Sequence, residues 1–339
     1  MMPTVRPATE ADRERWDAYV LSRPESHFGQ RWTWRMLTLR TYPVGDCCRL
    51  AEEDGRVRGV LPLFHDRRGR RLFSAPGGLL ADGPGVAEAL LAPAREHVRR
   101  AGLAYLELRD QRTAWPGLET SAEHVTLMLD LAPDAPSQWT AFDAKLRNQV
   151  RKAQKSGFTA CWGREHLGDF HRVLLENMRD LGTPVRWLPY YRRVLDVLGE
   201  AADVLVVRRA GEAAGAMFTI AHGDTLADPW ASSRRRHLAY CPNHMLYWEA
   251  LQRAIALGMK RFDFGRSQWH SNTYRFKEQW GARPVQLYYQ YALGHGTAVP
   301  TLASQKSSFD LAVRLWRKLP LPVAGLLGEP VKRMFPEVL

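Results

Sequence analysis

The side chains best suited to proton and charge chemistry crowd into Lys260–Tyr291, KRFDFGRSQWHSNTYRFKEQWGARPVQLYYQY. Asp263 stands between Phe262 and Phe264 in an alternating pattern, so on a strand it points away from both rings. The pattern breaks at Gly265-Arg266-Ser267, and a polar loop with His270 and Asn272 follows. Tyr274 and Lys277 then fall at i,i+3 and Phe276 and Trp280 at i,i+4, spacings that put each pair on one helix face. A carboxylate, a guanidinium, a phenol and an ammonium group exchange protons and hold anions. Gathered where a strand gives way to a helix, they read as a site. An aromatic core strand pair with ordinary caps is the competing reading of the same residues.

Positive charge marks three further places. Lys145–Lys155 carries five cations in eleven residues and no acid, whereas a solvated helix face ordinarily mixes signs. Arg147 and Arg151 there suit bidentate contacts to phosphate or carboxylate, with Lys152 beside them. A plain surface helix is the alternative. Arg234-Arg-Arg-His237 precedes a helix beginning at Pro242, with Asn243 in its first turn, a setting suited to pyrophosphate. The tail from Leu311 to Phe335 mixes Leu, Val and Trp316 with Arg314, Arg317, Lys318, Lys332 and Arg333, broken by Pro320, Pro322 and Pro330. It fits either an interfacial element on an anionic bilayer or a segment packed back onto the body. The net charge of +12 agrees with an anionic partner: a nucleotide cofactor, tRNA, a phospholipid surface or a lipid-linked sugar phosphate.

Other chemistries lack their residues. His166/His171 and His237/His244 have neither the i,i+4 nor the HxH spacing of a metal site, so no metal is expected. No GxGxxG, GxxxxGK[ST] or GxSxG motif occurs. Cys47, Cys48, Cys161 and Cys241 form no CxxC pair, and no signal peptide or 18-residue apolar run is present. The expectation is a reduced, cytoplasmic protein, peripheral at the inner face of a membrane if the tail engages one.

The elements that position these residues alternate strands and helices. Strands are expected at Cys48–Glu52, Val57–Phe64, Leu103–Arg109 and about 123–131, with a helix at Val86–Arg100 ending before Gly102. Pro-rich Leu131–Ser137 suggests a boundary, which gives domains 1–133 and 134–298 and a basic tail 299–339. Beyond it, Trp139, Phe142, Leu146, Val150 and Ala153 form one helical stripe. Strands follow at Phe158–Trp162, Asp203–Arg209, Ala213–Ala221 and Thr225–Ala231. Helices are expected at Leu167–Leu181, Pro189–Leu198 and Pro242–Leu257. Two matches share one offset of 156 positions. Gly55-Arg-Val-Arg-Gly59 aligns with Gly211-Glu-Ala-Ala-Gly215, and Gly102–Leu108 with Gly258–Phe264, which sets Glu107 against Asp263. One α/β unit has been duplicated, and only the second copy carries Gly265–Trp280.

With these pieces in place the sequence resembles the FemAB-like acyltransferases, closest to the branch associated with exosortase and exopolysaccharide loci. KLRNQVRKAQKSG (Lys145–Gly157), NMRDLGTPV (Asn177–Val185), FDFGRS (Phe262–Ser267) and YRFKEQWGARPVQLYYQY carry the likeness, which spans roughly residues 25–335. The resemblance implies an α/β fold of α+β type, two tandem GNAT-like domains, and transfer of an acyl or aminoacyl group to an amine. The implied acceptor is a small or lipid-linked molecule related to the cell envelope or exopolysaccharide. The implied co-substrate is acyl-CoA or aminoacyl-tRNA, with no tightly bound cofactor. Amine attack on an ester or thioester needs orientation, proton removal and oxyanion stabilisation. On the matching positions, Lys277 stabilises the oxyanion or an acceptor phosphate, Asp263 orients or acts as base, and Tyr274 lies beside them. Arg147, Arg151, Lys152, Asn243, Arg266, Ser267, His270 and Trp280 bind substrate, and the donor enters between the strands near 213–221 and 225–231. The rival class is a non-catalytic module that binds nucleic acid or an anionic surface through the 145–155 helix and the tail.

Overall fold

The computed structural model describes residues 3–299 and 306–334. In chain order these form β1 (Thr4–Pro7), α1 (Arg13–Leu21), α2 (Trp32–Thr41), β2 (Gly45–Asp46), β3 (Arg49–Glu53), β4 (Arg56–Leu61), β5 (Leu63–Asp66), β6 (Arg71–Pro76), β7 (Leu80–Ala81), α3 (Pro84–Arg100), β8 (Tyr105–Gln111) and β9 (Glu119–Asp130). Then come α4 (Ala135–Ala141), α5 (Ala144–Lys155), β10 (Phe158–Trp162), α6 (Leu167–Leu181), α7 (Leu188–Leu198), β11 (Ala202–Arg209), β12 (Glu212–His222) and β13 (Thr225–Ser233). The chain closes with α8 (Pro242–Ala256), β14 (Arg261–Gln268), α9 (Asn272–Glu278), β15 (Arg283–Leu293), α10 (Lys306–Arg317) and α11 (Leu321–Met334).

Two compact units emerge, and they do not follow sequence order. Residues 1–126, 266–271 and 284–300 form the first; 127–265, 272–283 and 301–339 form the second. The contiguous ranges 1–133, 134–298 and 299–339 differ from this because β15 pairs with β8 (Tyr291 opposite Glu107), while α10 and α11 pack on α6.

In the first unit, strands run in the order β15-β8-β6-β5-β2, beside a small sheet β1-β3-β4-β7. One strand was expected over 57–64, but Pro62 divides it into β4 and β5. Proline has no N–H for the ladder, and the chain changes sheets there. Leu61, Leu63, Leu72, Leu90, Leu106 and Leu108 build the core under α3. In the second unit the order is β10-β11-β12-β13-β14. Val204–Val207 and Ala213–Ile220 are buried continuously, as in strands covered on both faces. Phe218 packs on Phe170 of α6, while Gly215, on the other face, lies against Leu246 of α8.

The repeat is visible in backbone detail. The two-residue turns Asp54-Gly55 (φ 50° and 72°) and Ala210-Gly211 (φ 49° and 79°) join β3–β4 and β11–β12 in the same left-handed conformation. Such turns match the twist of hairpin strands. Helices α3 and α8 both begin at proline and stop before a glycine with positive φ, Gly102 and Gly258. The expected single helix through Trp139–Ala153 is two helices. Phe142 is extended, and the Asp143 carboxylate caps α5 by accepting from the Leu146 N–H at 2.6 Å.

Candidate active site

Strands β13 and β14 run parallel for three residue pairs, Thr225–Ala227 against Arg261–Asp263. Beyond them the ladder ends, although both strands continue, and Asp228 is the first residue past the last pair. The opening expected between 213–221 and 225–231 is therefore displaced by one strand. β12 and β13 pair antiparallel along their length, with one irregularity between Phe218 and Ile220.

The opening is lined by buried polar groups. Gly265 has φ 72°, and a Cβ there would lie 3.0 Å from the Asp228 carbonyl oxygen and 3.3 Å from its Oδ1. Only glycine allows that approach without strain. The Gly265 peptide is held at both ends: its N–H donates to Asp263 Oδ1 at 2.9 Å, and its carbonyl accepts from Lys277 Nζ at 2.8 Å. Asp228, Asp263 and Lys277 are all at least nine-tenths buried. The Tyr247 phenol of α8 hydrogen-bonds the Asp228 carboxyl, but Asp228 Oδ2 has no hydrogen-bond partner among the described residues.

These surroundings shift proton affinity. Burial pushes the Asp228 carboxyl up to about 8; the Lys277 charge and the Tyr247 hydrogen bond oppose that rise and the Asp263 charge adds to it. Burial, then the neighbouring Asp228, pushes the Tyr247 phenol well above its ordinary range. A buried carboxyl raised to about 8, with one oxygen lacking a hydrogen-bond partner among the described residues, is suited to proton transfer at physiological pH. The Lys277 ammonium donates to the Gly265 carbonyl and puts a buried positive charge beside Asp228.

An aromatic wall backs the group. Tyr247 stacks on Phe264 (5.1 Å) and meets Phe276 at 5.3 Å. His244 of α8 lies 5.4 Å from Phe276, and burial pushes its imidazole down to about 4, so it is neutral at pH 7.

Of the residues singled out by sequence, Asp263 and Lys277 come together, and Tyr274 is buried one helical turn from Lys277 on α9. Trp280 is 1% exposed and packs edge-on against Phe142 at 5.4 Å, so it is core and not a substrate contact; its size and apolarity decide that. Arg266, Ser267 and His270 belong to the first unit. Arg266 hydrogen-bonds Tyr289 and lies 3.8 Å from Asp110; the Ser267 hydroxyl is buried without a hydrogen-bond partner among the described residues; His270 is exposed at φ 57°. Asn243 accepts from the Ser233 hydroxyl at 2.6 Å at the start of α8.

The basic runs part company. Arg234 and Arg236 pair with Glu176 (3.0 and 2.5 Å), and Glu212 receives Arg234, Arg236 and His237. The Arg236 guanidinium, chiefly, holds the Glu212 carboxyl down at about 2. Apart from the exposed Arg235, this run is thus an ion-pair network, which leaves one cation for a pyrophosphate. On α5, by contrast, none of Lys145, Arg147, Arg151, Lys152 and Lys155 has a carboxylate partner among the described residues. Arg151 sits over the Trp139 ring at 5.4 Å, and the half-buried Arg147 leaves its Nε without an acceptor among the described residues. Gln149 of α5 accepts from the Cys241 thiol, the N-cap of α8, at 3.0 Å, which brings this helix to the start of α8.

Asp228 and Tyr247 went unnoticed in the sequence. Asp228 is the only acid of Thr225–Ser233, in an otherwise apolar and small-residue strand, and that isolation was the available signal.

Residues 141–278 match the model of the acetyltransferase (GNAT) domain, a span that includes Asp228, Tyr247, Asp263 and Lys277. No curated protein matches the chain by sequence. Among solved structures it is similar to FemX, at 16% identity over 86% of this chain and 97% of that one, TM-score 0.69. A tandem GNAT protein from the clavulanic acid biosynthesis pathway aligns at 14% identity over 86% and 98%, TM-score 0.57. The C-terminal domain of a candidate lysylphosphatidylglycerol synthetase from Agrobacterium fabrum aligns at 14% over 90% and 94%, TM-score 0.56. The fold is that of tandem GNAT proteins. With the domain match, the chain is an acyltransferase, and a purely anion-binding module is set aside.

Proposed function

We propose that the second unit transfers an acyl or aminoacyl group to an amine at the β13–β14 opening, with Asp228 as the proton acceptor. The observation that carries this reading is the buried Asp228 carboxyl, raised to about 8 with one oxygen unpartnered, beside the Lys277 ammonium. The amine nitrogen attacks the carbonyl carbon of a thioester or ester, and its proton passes to Asp228. Lys277 faces the developing oxyanion. Collapse breaks the C–S or C–O bond, and the proton moves from Asp228 to the leaving sulfur or oxygen. Asp263 is a positioning residue, since it holds the peptide on which Lys277 rests.

The favoured donor is acyl-CoA. Past Ala227, β13 has no β14 partner, and a free strand edge suits an extended chain of amides such as pantetheine. The start of α8 and the uncompensated cations of α5, Arg147, Arg151 and Lys152 among them, suit its phosphates. The same cations favour a second donor, aminoacyl-tRNA, whose backbone is a polyanion. For the acceptor we favour an amine on a small or lipid-linked molecule of the cell envelope or exopolysaccharide. The likenesses to FemX and to a protein named for lysylphosphatidylglycerol support that choice. A peripheral membrane relation, at the cytoplasmic face, belongs to this reading. No helix among the described residues is long and apolar enough to cross a bilayer. Domain boundaries near 133 and 298 are kept as a proposal about the duplicated ancestor.

Incubation of the purified protein with labelled acetyl-CoA, or with charged tRNA, and a panel of amines tests this reading. Mass spectrometry should find an amide product that Lys277→Ala and Asp228→Asn both fail to make. Transfer at the native rate by either variant contradicts the assignment.

A further inference from the structure

Amphipathic helices in a folded chain turn their apolar stripe inward. Helix α11 does the reverse. It buries Ala324, Gly328, Glu329 and Lys332, and it shows solvent Val323, Leu326 and Leu327 at i, i+3 and i+4. Leu326 is 67% exposed. On α10, Leu311 and Leu315, also i,i+4, are 57% and 59% exposed.

This outward face is not a loosely attached tail. Gly328 sits against the Val185 backbone so closely that a Cβ would lie 2.1 Å from the Val185 carbonyl oxygen. The buried Glu329 carboxylate lies 3.4 Å from Arg186 and also takes Arg333 at 3.1 Å. Arg179 donates to the Leu319 carbonyl at 2.8 Å. The polar residues are thus committed to docking the helix pair on the body, and the leucines are left over. Two exposed residues of the body extend the patch. Leu181 lies where Arg317 donates to its carbonyl, and Trp187 donates its indole N–H to the Leu326 carbonyl at 3.1 Å. Seven of the twelve large hydrophobic residues exposed among the described residues therefore lie on these two helices or beside them.

From Leu311 onward, past Asp310, the exposed charges of the two helices have one sign. From Leu311 to Arg333 the only acid is Glu329, which is buried, while Arg314, Arg317, Lys318 and Arg333 are exposed. A second copy seated on this face by a two-fold axis would set these cations against one another. An anionic bilayer complements both features: leucines enter the acyl boundary, and Arg and Lys remain among the phosphates.

We infer that α10 and α11 form a docking face for an anionic phospholipid bilayer, on which the protein lies without crossing. This deepens the peripheral placement proposed above and is independent of the acyl-transfer chemistry. Phe335, which the sequence groups with the tail, lies outside the described residues.

The test is sedimentation of the full chain with vesicles of phosphatidylcholine alone and of about three parts phosphatidylcholine to one part phosphatidylglycerol. Partitioning to the anionic vesicles should exceed that to neutral ones by at least about tenfold and weaken with salt. Leu326→Glu/Leu327→Glu should lower it by at least about tenfold with melting temperature unchanged, since both side chains are exposed. Arg314→Glu/Arg317→Glu should remove the preference for anionic lipid. Asp228→Asn, inert in acyl transfer, should bind vesicles like the native chain, so failure of the docking face and failure of the chemistry are read apart. Absence of vesicle binding overturns the inference. So does binding that ignores the Leu326→Glu/Leu327→Glu change, or light scattering that finds a dimer which this change dissociates.

Discussion

The two copies of the repeat treat the same spot in opposite ways. In the first, β6 pairs with β8 in parallel through Phe73 opposite Glu107, and pairing resumes at Pro76 opposite Arg109. Ser74 closes the gap, its hydroxyl oxygen accepting from the Arg109 N–H at 2.9 Å. Glu107 is then clasped by Arg109 Nε and Nη2 at 2.8 and 2.6 Å. At the offset of the repeat, Arg109 corresponds to Gly265 and Glu107 to Asp263. In the second copy the strands part for good after Ala227 and Asp263, glycine replaces the clasping arginine, and Asp228 stands where Ser74 closed the first. A buried carboxylate fully satisfied by a bidentate arginine is structure. One left half-satisfied, with its proton affinity raised, is available for chemistry.

Breaking the second copy should cost activity, and breaking the first should cost stability. The largest expected effect is Asp228→Asn, a loss of roughly 10²–10⁴ in kcat with near-native circular dichroism. Lys277→Ala follows, at about 10²–10³ in kcat. Glu107→Ala leaves Arg109 buried without its counter-charge. It should destabilise by about 3–5 kcal/mol in denaturant titration, while turnover per folded molecule stays near native. Gly265→Ala meets both a positive φ and the 3.0 Å approach to Asp228, and should cost about 1–3 kcal/mol together with activity.

The same contrast carries a pH dependence of stability. The folded pKa of Asp228 is raised above its unfolded value, so between about pH 4 and about pH 8 the folded state binds the extra proton. Stability from this group is present below about pH 4, falls as pH rises through that window, and levels off above about 8. Asp228→Asn should flatten that slope in urea titrations run across the range.

Much of this contrast was legible in the sequence, since the glycine-marked turns, the Pro242 helix and the Phe262–Phe264 strand rest on local spacing. Lys277 and Asp263 drew attention because they sit in a dense polar run. Asp228 was not, because its meaning depends on where two strands from different parts of the chain cease to pair. Arg234–His237 looked like a phosphate site for the same reason. Its neutralising partners Glu176 and Glu212 are remote in sequence and adjacent only in the fold. The break at Phe142 escaped a periodicity that runs straight through it, and Trp280 was misjudged because a tryptophan near charged groups reads alike as wall or as ligand contact.

The measurement closest to the central claim needs no substrate. Carboxyl carbons of aspartate can be followed by NMR across pH in the native chain and in Asp228→Asn. One resonance should titrate near 8 and be absent from the variant. If every aspartate carboxyl in the native chain titrates below about pH 5, Asp228 is an ordinary buried acid and the account of the second copy fails.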